Sequence, residues 1–154
     1  MGSRIPEVLE ALVALGRSEA GDGGELAGVS IADGPEVTDS AAQDWLIVGF
    51  DGDPTGDFEA AQSVGGWSDL SSGREEAFQV TVAAVANRGD TDIVAARRRA
   101  YEIAARVEAW LRADPGIGLR SLEAAVEATR LVQDQTEDGA QARLLLTVAG
   151  RAFT

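Results

Sequence analysis

Four carboxylates in one short run, Asp51, Asp53, Asp57 and Glu59 in DGDPTGDFE, come closer to a reactive site than any other residues of this 154-residue chain. Oxygen ligands clustered in a glycine-bearing loop suit a hard divalent cation such as calcium or magnesium. An EF-hand, however, needs its third acid two residues after the second and a glutamate at the loop's end, and Pro54 breaks that spacing. Asx turns, in which each Asp satisfies nearby backbone N–H groups, account for the same letters without any ion. Arg88-Gly89-Asp90 spells an adhesive tripeptide, yet it joins an expected strand to an expected helix, where Asp90 can cap. The serines of GWSDLSSG lack the G-x-S-x-G elbow and lack a base to activate them.

Composition removes most remaining chemistries. The chain has no Cys, which excludes disulfide frameworks, thiolate zinc sites and cysteine nucleophiles and fits assembly in a reducing compartment. It has no His, the side chain best suited to proton transfer near neutral pH and the commonest metal ligand. Every basic residue is Arg, so a phosphate loop with its Lys is excluded, and no G-x-G-x-x-G is present. The expectation is a protein that is not an enzyme and takes no cofactor.

The net charge of -13 is unevenly placed. Residues 1–87 hold 16 Asp or Glu against 3 Arg, which is -13, whereas residues 88–154 hold 10 of each, which is zero. Such a surface repels phosphates, so specific binding of DNA or RNA is not expected; a solvated acidic face is the plain explanation. Glu7 and Glu10 interrupt the first apolar run, and no apolar stretch approaches the roughly 20 residues of a membrane span, so a soluble protein made inside the cell is expected. Pro6 stands where N-myristoylation wants Ser or Thr.

The elements that must position these residues follow from pattern. Pro6 opens a helix whose apolar positions Val8, Leu9, Leu12, Val13 and Leu15 run to Gly16, and EAGDGGE then reads as a flexible link. Short strands are expected at Val29 to Ala32 and Trp45 to Phe50, with a weaker one between Phe58 and Leu70 that Gly65-Gly66 interrupts. From Glu75, Phe78, Val80, Val82 and Ala84 alternate with Gln79 and Thr81, the period of a long strand. Asp90-Thr91-Asp92 caps a second helix with the stripe Ile93, Ala100, Tyr101, Ala104, Val107 and Leu111; its other face carries Arg97, Arg98, Arg99, Glu102, Arg106, Glu108 and Arg112. Leu122, Ala124, Val126 and Ala128 alternate with Glu123, Glu127 and Thr129. Past Asp138-Gly139, Leu144, Leu146 and Val148 complete a hairpin. The order α-β-β-β-β-α-β-β predicts one α+β domain over residues 1–154, a mixed, largely antiparallel sheet packed by two helices.

Four stretches in this order, IPEVLEALVAL, DWLIVGFDGDP, VGGWSDLSSGREEAFQVTVAAVANRGDTDIVAARRRAYEIAARVEAWLRADPGIG and QTEDGAQARLLLTVAGRAF, carry a resemblance that covers nearly the whole chain. The set is similar to the tail terminator, or tail-completion, proteins of long-tailed phages, above all those of phages and prophages of high-GC actinobacteria. The resemblance implies a structural virion protein that closes into a six-membered ring at the head-proximal end of the tail. It stops tube polymerisation and presents the surface that joins the head. Implied partners are further copies of the chain, the major tail tube protein and a head-completion or neck protein, with DNA passing through without specific binding and no membrane involved. Assembly would take place in the host cytoplasm.

On this reading the glycine-punctuated region from Asp51 to Gly73 is expected to make tube or subunit contacts, with Trp67 as an aromatic anchor or, equally well, a core residue. Arg97, Arg98 and Arg99 form an exposed basic face that is solvated or meets a subunit or the head. Two alternatives remain: another neck or head-closure component, and a small domain that binds a ligand in its acidic loop.

Overall fold

The computed structural model describes residues 2–35, 42–65, 74–137 and 139–153. Its centre is β4 (Glu75–Arg88), where the period-two pattern buries Phe78, Val80, Val82 and Ala84 on one face. Against β4 lie β2 (Asp44–Val48), β3 (Ala61–Gly65) and β6 (Gly139–Phe153), all antiparallel to it. The short β1 (Ser30–Asp33) adds in parallel to β2, and β5 (Leu122–Thr136) pairs antiparallel with β6. The result is a mixed, largely antiparallel six-stranded sheet in the order β1-β2-β4-β6-β5, with β3 continuing the β2 column along β4. With α1 (Ile5–Glu19) and α2 (Ile93–Ala113), the element order is the expected α-β-β-β-β-α-β-β of an α+β fold.

Both helices pack on the face of the sheet that carries Val80, Val82, Leu144 and Leu146. Leu12 of α1, Leu46 of β2 and Ile103 of α2 are wholly buried there, each burial worth about 1.5–3 kcal/mol. Asp92 caps α2 as its position suggested, its carboxylate accepting from Ala95 N at 3.0 Å. The N-cap residue of α1, Arg4, makes no side-chain cap bond, and Ser3 Oγ accepts from Ile5 N at 3.0 Å instead. Glu76 of β4 anchors this start: it is the sole buried charged residue among those described, and it accepts from Arg4 N at 2.8 Å and from the Ser3 hydroxyl.

Three sequence expectations need correction. Tyr101 is not in the α2 core stripe but 48% exposed; Ile103 and Trp110 are buried in its place. The sheet-facing arc of α2 is turned toward α1, where Glu19 accepts from Arg106 Nε at 2.8 Å and from Trp110 Nε1. In β5 the alternation does not run on to Ala128, because a bulge at Glu127 sets Val126 opposite Val148 but Ala128 opposite Thr147. Beyond it Leu131, not Ala128, faces the helices with Leu144. Phe50 lies past the end of β2, which Gly49 leaves at a φ of 83°. Gly66, Asp138 and the GWSDLSSG serines lie outside the described residues.

Glu19→Ala should leave the buried indole N–H of Trp110 without an acceptor and release Arg106, at a cost of about 1–3 kcal/mol in urea denaturation. Glu19→Gln keeps one carbonyl acceptor and should recover part of that loss.

Candidate functional site

The acidic loop leaves and re-enters the sheet at one residue. Gly49 N donates to Thr81 O at 2.7 Å, and Thr81 N donates to Ala60 O at 2.9 Å, so the ten residues between them loop out of the ladder where β2 gives way to β3. They fold over the sheet face opposite the helices. Arg143 of β6 points from that face, its Nη1 donating to Asp51 O at 2.8 Å, and Gly52 lies against Arg143 and Val85. Phe50 and Phe58 stack with ring centroids 5.2 Å apart and planes 9° from parallel. Phe58 holds a φ of 59°, strained for an aromatic residue, and is 49% exposed.

The four loop carboxylates do not converge. Asp51 Oδ1 accepts from Asp53 N at 2.9 Å, Asp53 Oδ1 from Thr55 N at 2.9 Å and Thr55 Oγ1 at 2.7 Å, and Asp57 Oδ1 from Glu59 N at 3.0 Å. These are consecutive Asx turns, each Asp bound to the backbone two residues on. Hydrogen bonds from the Thr55 hydroxyl and the Thr55 N–H, with a smaller attraction to Arg143, hold the Asp53 carboxyl below its ordinary range. This contribution to the loop is present above the unfolded carboxylate range and is lost as pH falls through the lowered folded value. Glu59 is exposed, and among the described residues no three acids are grouped to hold a metal ion. Trp67 lies outside the described residues.

The basic face of α2 is not a free strip, which corrects the expectation for two of its three members. Arg99 donates to Asp44 at 3.1 Å and to Glu102 at 3.0 Å, and Arg97 donates to Gln133 Oε1 on β5 at 2.9 Å; both are part-buried. Asp44 also accepts from Arg88 at 2.7 Å, so the arginine of the Arg-Gly-Asp tripeptide serves the strand it belongs to. Only Arg98 of the three is exposed.

Below the acidic loop the same sheet face is open and bears small, amide and acidic side chains. Gln62, Gln79, Ala149 and Ala125 stand in one row across four strands, and Gln62 donates to Gln79, which donates to Glu127. Arg151 in this region lies between Glu123 at 2.7 Å and Glu75 at 3.8 Å. Beside the loop, Trp45, Ile47, Phe50 and Val85 line a cleft of about 190 Å³, small against the roughly 300–1,000 Å³ of ordinary ligand pockets.

What the sequence did not disclose are the two sheet edges. Among the described residues neither the outer side of β3 nor that of the 15-residue β5 has a strand against it. Strand propensity signals where an edge strand lies, but only topology says which strands are outermost. The arrangement defines a two-layer α+β domain with paired open edges and, among the described residues, no assembled reaction centre. No model of a known protein family matches the chain, and no curated protein shows significant similarity to it.

Proposed function

We propose that this protein is a structural ring subunit that caps the head-proximal end of a phage tail tube, halts tube growth and offers the surface to which the neck attaches. The observation that carries the reading is the pair of open edges on an alternating sheet. Strands β3, β4, β6 and β5 reverse direction at every step. A second copy rotated about an axis along the strands therefore presents its β3 antiparallel to the first copy's β5, and the ladder continues across the contact. Such a head-to-tail interface closes when the rotation per subunit divides the circle. The resemblance to tail terminators supplies the number six and the position on the tail.

Six chains of 16.0 kDa give roughly 96 kDa. A reconstruction of the intact virion should show this chain as a six-fold ring between tube and neck. Its presence at the baseplate, or as an open filament, overturns the reading.

In a ring closed through these edges one sheet face lines the bore. The face without helices suits that position, because the row Gln62, Gln79, Ala149 and Ala125 is small or amide and the loop adds Asp51, Asp53 and Asp57 beside Arg143. Focused negative potential around a narrow channel opposes adsorption of phosphates, so DNA slides past. Replacing Asp51, Asp53 and Asp57 together by Asn removes about three charges per chain, or about eighteen per ring, while each amide oxygen still closes its turn. Folding should be little changed, and genome ejection should slow. Normal ejection combined with failed capping moves these carboxylates from the bore to the docking surface.

A further inference from the structure

The helix layer has two unlike flanks. On one, Arg99 and Arg106 of α2 are tied to Asp44 and Glu19, and the flank is closed against β2 and α1. On the other, Arg97 reaches Gln133 and the flank looks toward the open β5 edge. Val94 and Tyr101, one helical heptad apart and on this same side, are 41% and 48% exposed. Among the described residues they are the only large apolar side chains of either helix so exposed. The outward face of an amphipathic helix is typically polar or charged at such positions.

The charges around them are unevenly paired. Arg97, Arg98 and Arg112 share the exposed side with Glu108 and Glu102, the latter bound to Arg99, and neither Arg98 nor Arg112 has an acidic partner among the described residues. The far edge of the molecule carries acids: Asp33 ends edge strand β1, and exposed Glu59 precedes β3.

We propose that the α2 flank bearing Val94, Arg98 and Tyr101, with the β5 edge beside it, is one half of a head-to-tail contact whose other half is the acidic β1 and β3 side of a second copy. The contact rests on the ring reading above and names its subunit interface. A contact of like with like would set Arg98 against Arg98 across a two-fold axis, where repulsion opposes it; opposite edges meeting bring cation to carboxylate. Tyr and Arg are also the side chains that carry most interface energy when desolvated.

Because the chain has no Cys, introduced thiols report this contact alone. Tyr101→Cys is mixed with Asp33→Cys or with Ser63→Cys, oxidised, and resolved without reductant, after each variant is shown to melt cooperatively. Ala105→Cys, exposed on the same flank, replaces Tyr101→Cys if that variant does not fold. The expected result is a heterodimer with at least one of the two edge variants, about tenfold above the yield with Glu102→Cys on the helix pole, and reduced about tenfold by Arg98→Glu. Yields equal to the Glu102→Cys control, or a predominance of Tyr101→Cys homodimers, overturn the proposal. Cross-links in a protein whose loss leaves tail length normal keep the contact and sink the terminator reading. Overgrown tails without cross-links do the reverse.

Discussion

On the proposed capping role, phage particles made without this protein should carry tails of irregular, excessive length that fail to join heads. Each ring added to a growing tube presents the same end surface as the ring before it, so polymerisation has no internal stop once its length template is passed. A cap ends growth by binding that surface and offering a different one above. In the proposed role the open edges supply the contacts, while Asp51, Asp53 and Asp57 close turns and Asp44 and Glu19 serve ion pairs. The effect is close to all or none. Length distributions of tails by electron microscopy, from a deletion strain and from the same strain complemented in trans, measure it. Tails of normal length that accumulate beside full heads would falsify capping and promote the neck or head-closure alternative, in which the joint is lost but tube length is not.

Gly150→Ala is expected to be strongly destabilising for a single methyl. Gly150 of β6 stands opposite Ala124 of β5 on one side and Phe78 of β4 on the other. A Cβ there overlaps the Glu123 carbonyl oxygen and comes within 2.6 Å of Phe78 Cζ. The first neighbour is ladder backbone, and the second is a ring buried to 2% exposure, so neither yields cheaply. Overpacking of this kind costs about 1–3 kcal/mol, and the backbone clash puts Gly150→Ala at or above the upper figure. Against a total stability of about 5–15 kcal/mol that is a large share. The urea midpoint should fall accordingly with the slope preserved. Gly89→Ala, where nothing lies within 4 Å of the added methyl, is the control and should stay within about 0.5 kcal/mol of the parent. A Gly150→Ala protein as stable as that control would mean that β5 and β6 are not packed as described.

Much of the molecule was determined by the sequence read locally. Period-two alternation located β4 and β6 because one face of each is buried against helices. Asp92 capped α2, and the acids of DGDPTGDFE closed Asx turns, because those bonds join residues two or three apart and need no other part of the chain. Tertiary structure decided what depends on distant partners. The stripe on α2 admitted either Tyr101 or Ile103; with Glu19 of α1 holding Arg106 and Trp110, the buried arc turned toward Ile103 and left Tyr101 beside the β5 edge. The bulge at Glu127 reversed the faces of the rest of β5, since a single extra residue in a period of two exchanges inside for outside. Arg143, 92 residues from Asp51, brought the acidic loop onto the face opposite the helices. Which strands end as open edges was likewise settled only by the order in which the sheet assembles, because an edge is the lack of a neighbour and local residue patterns specify only the strand itself.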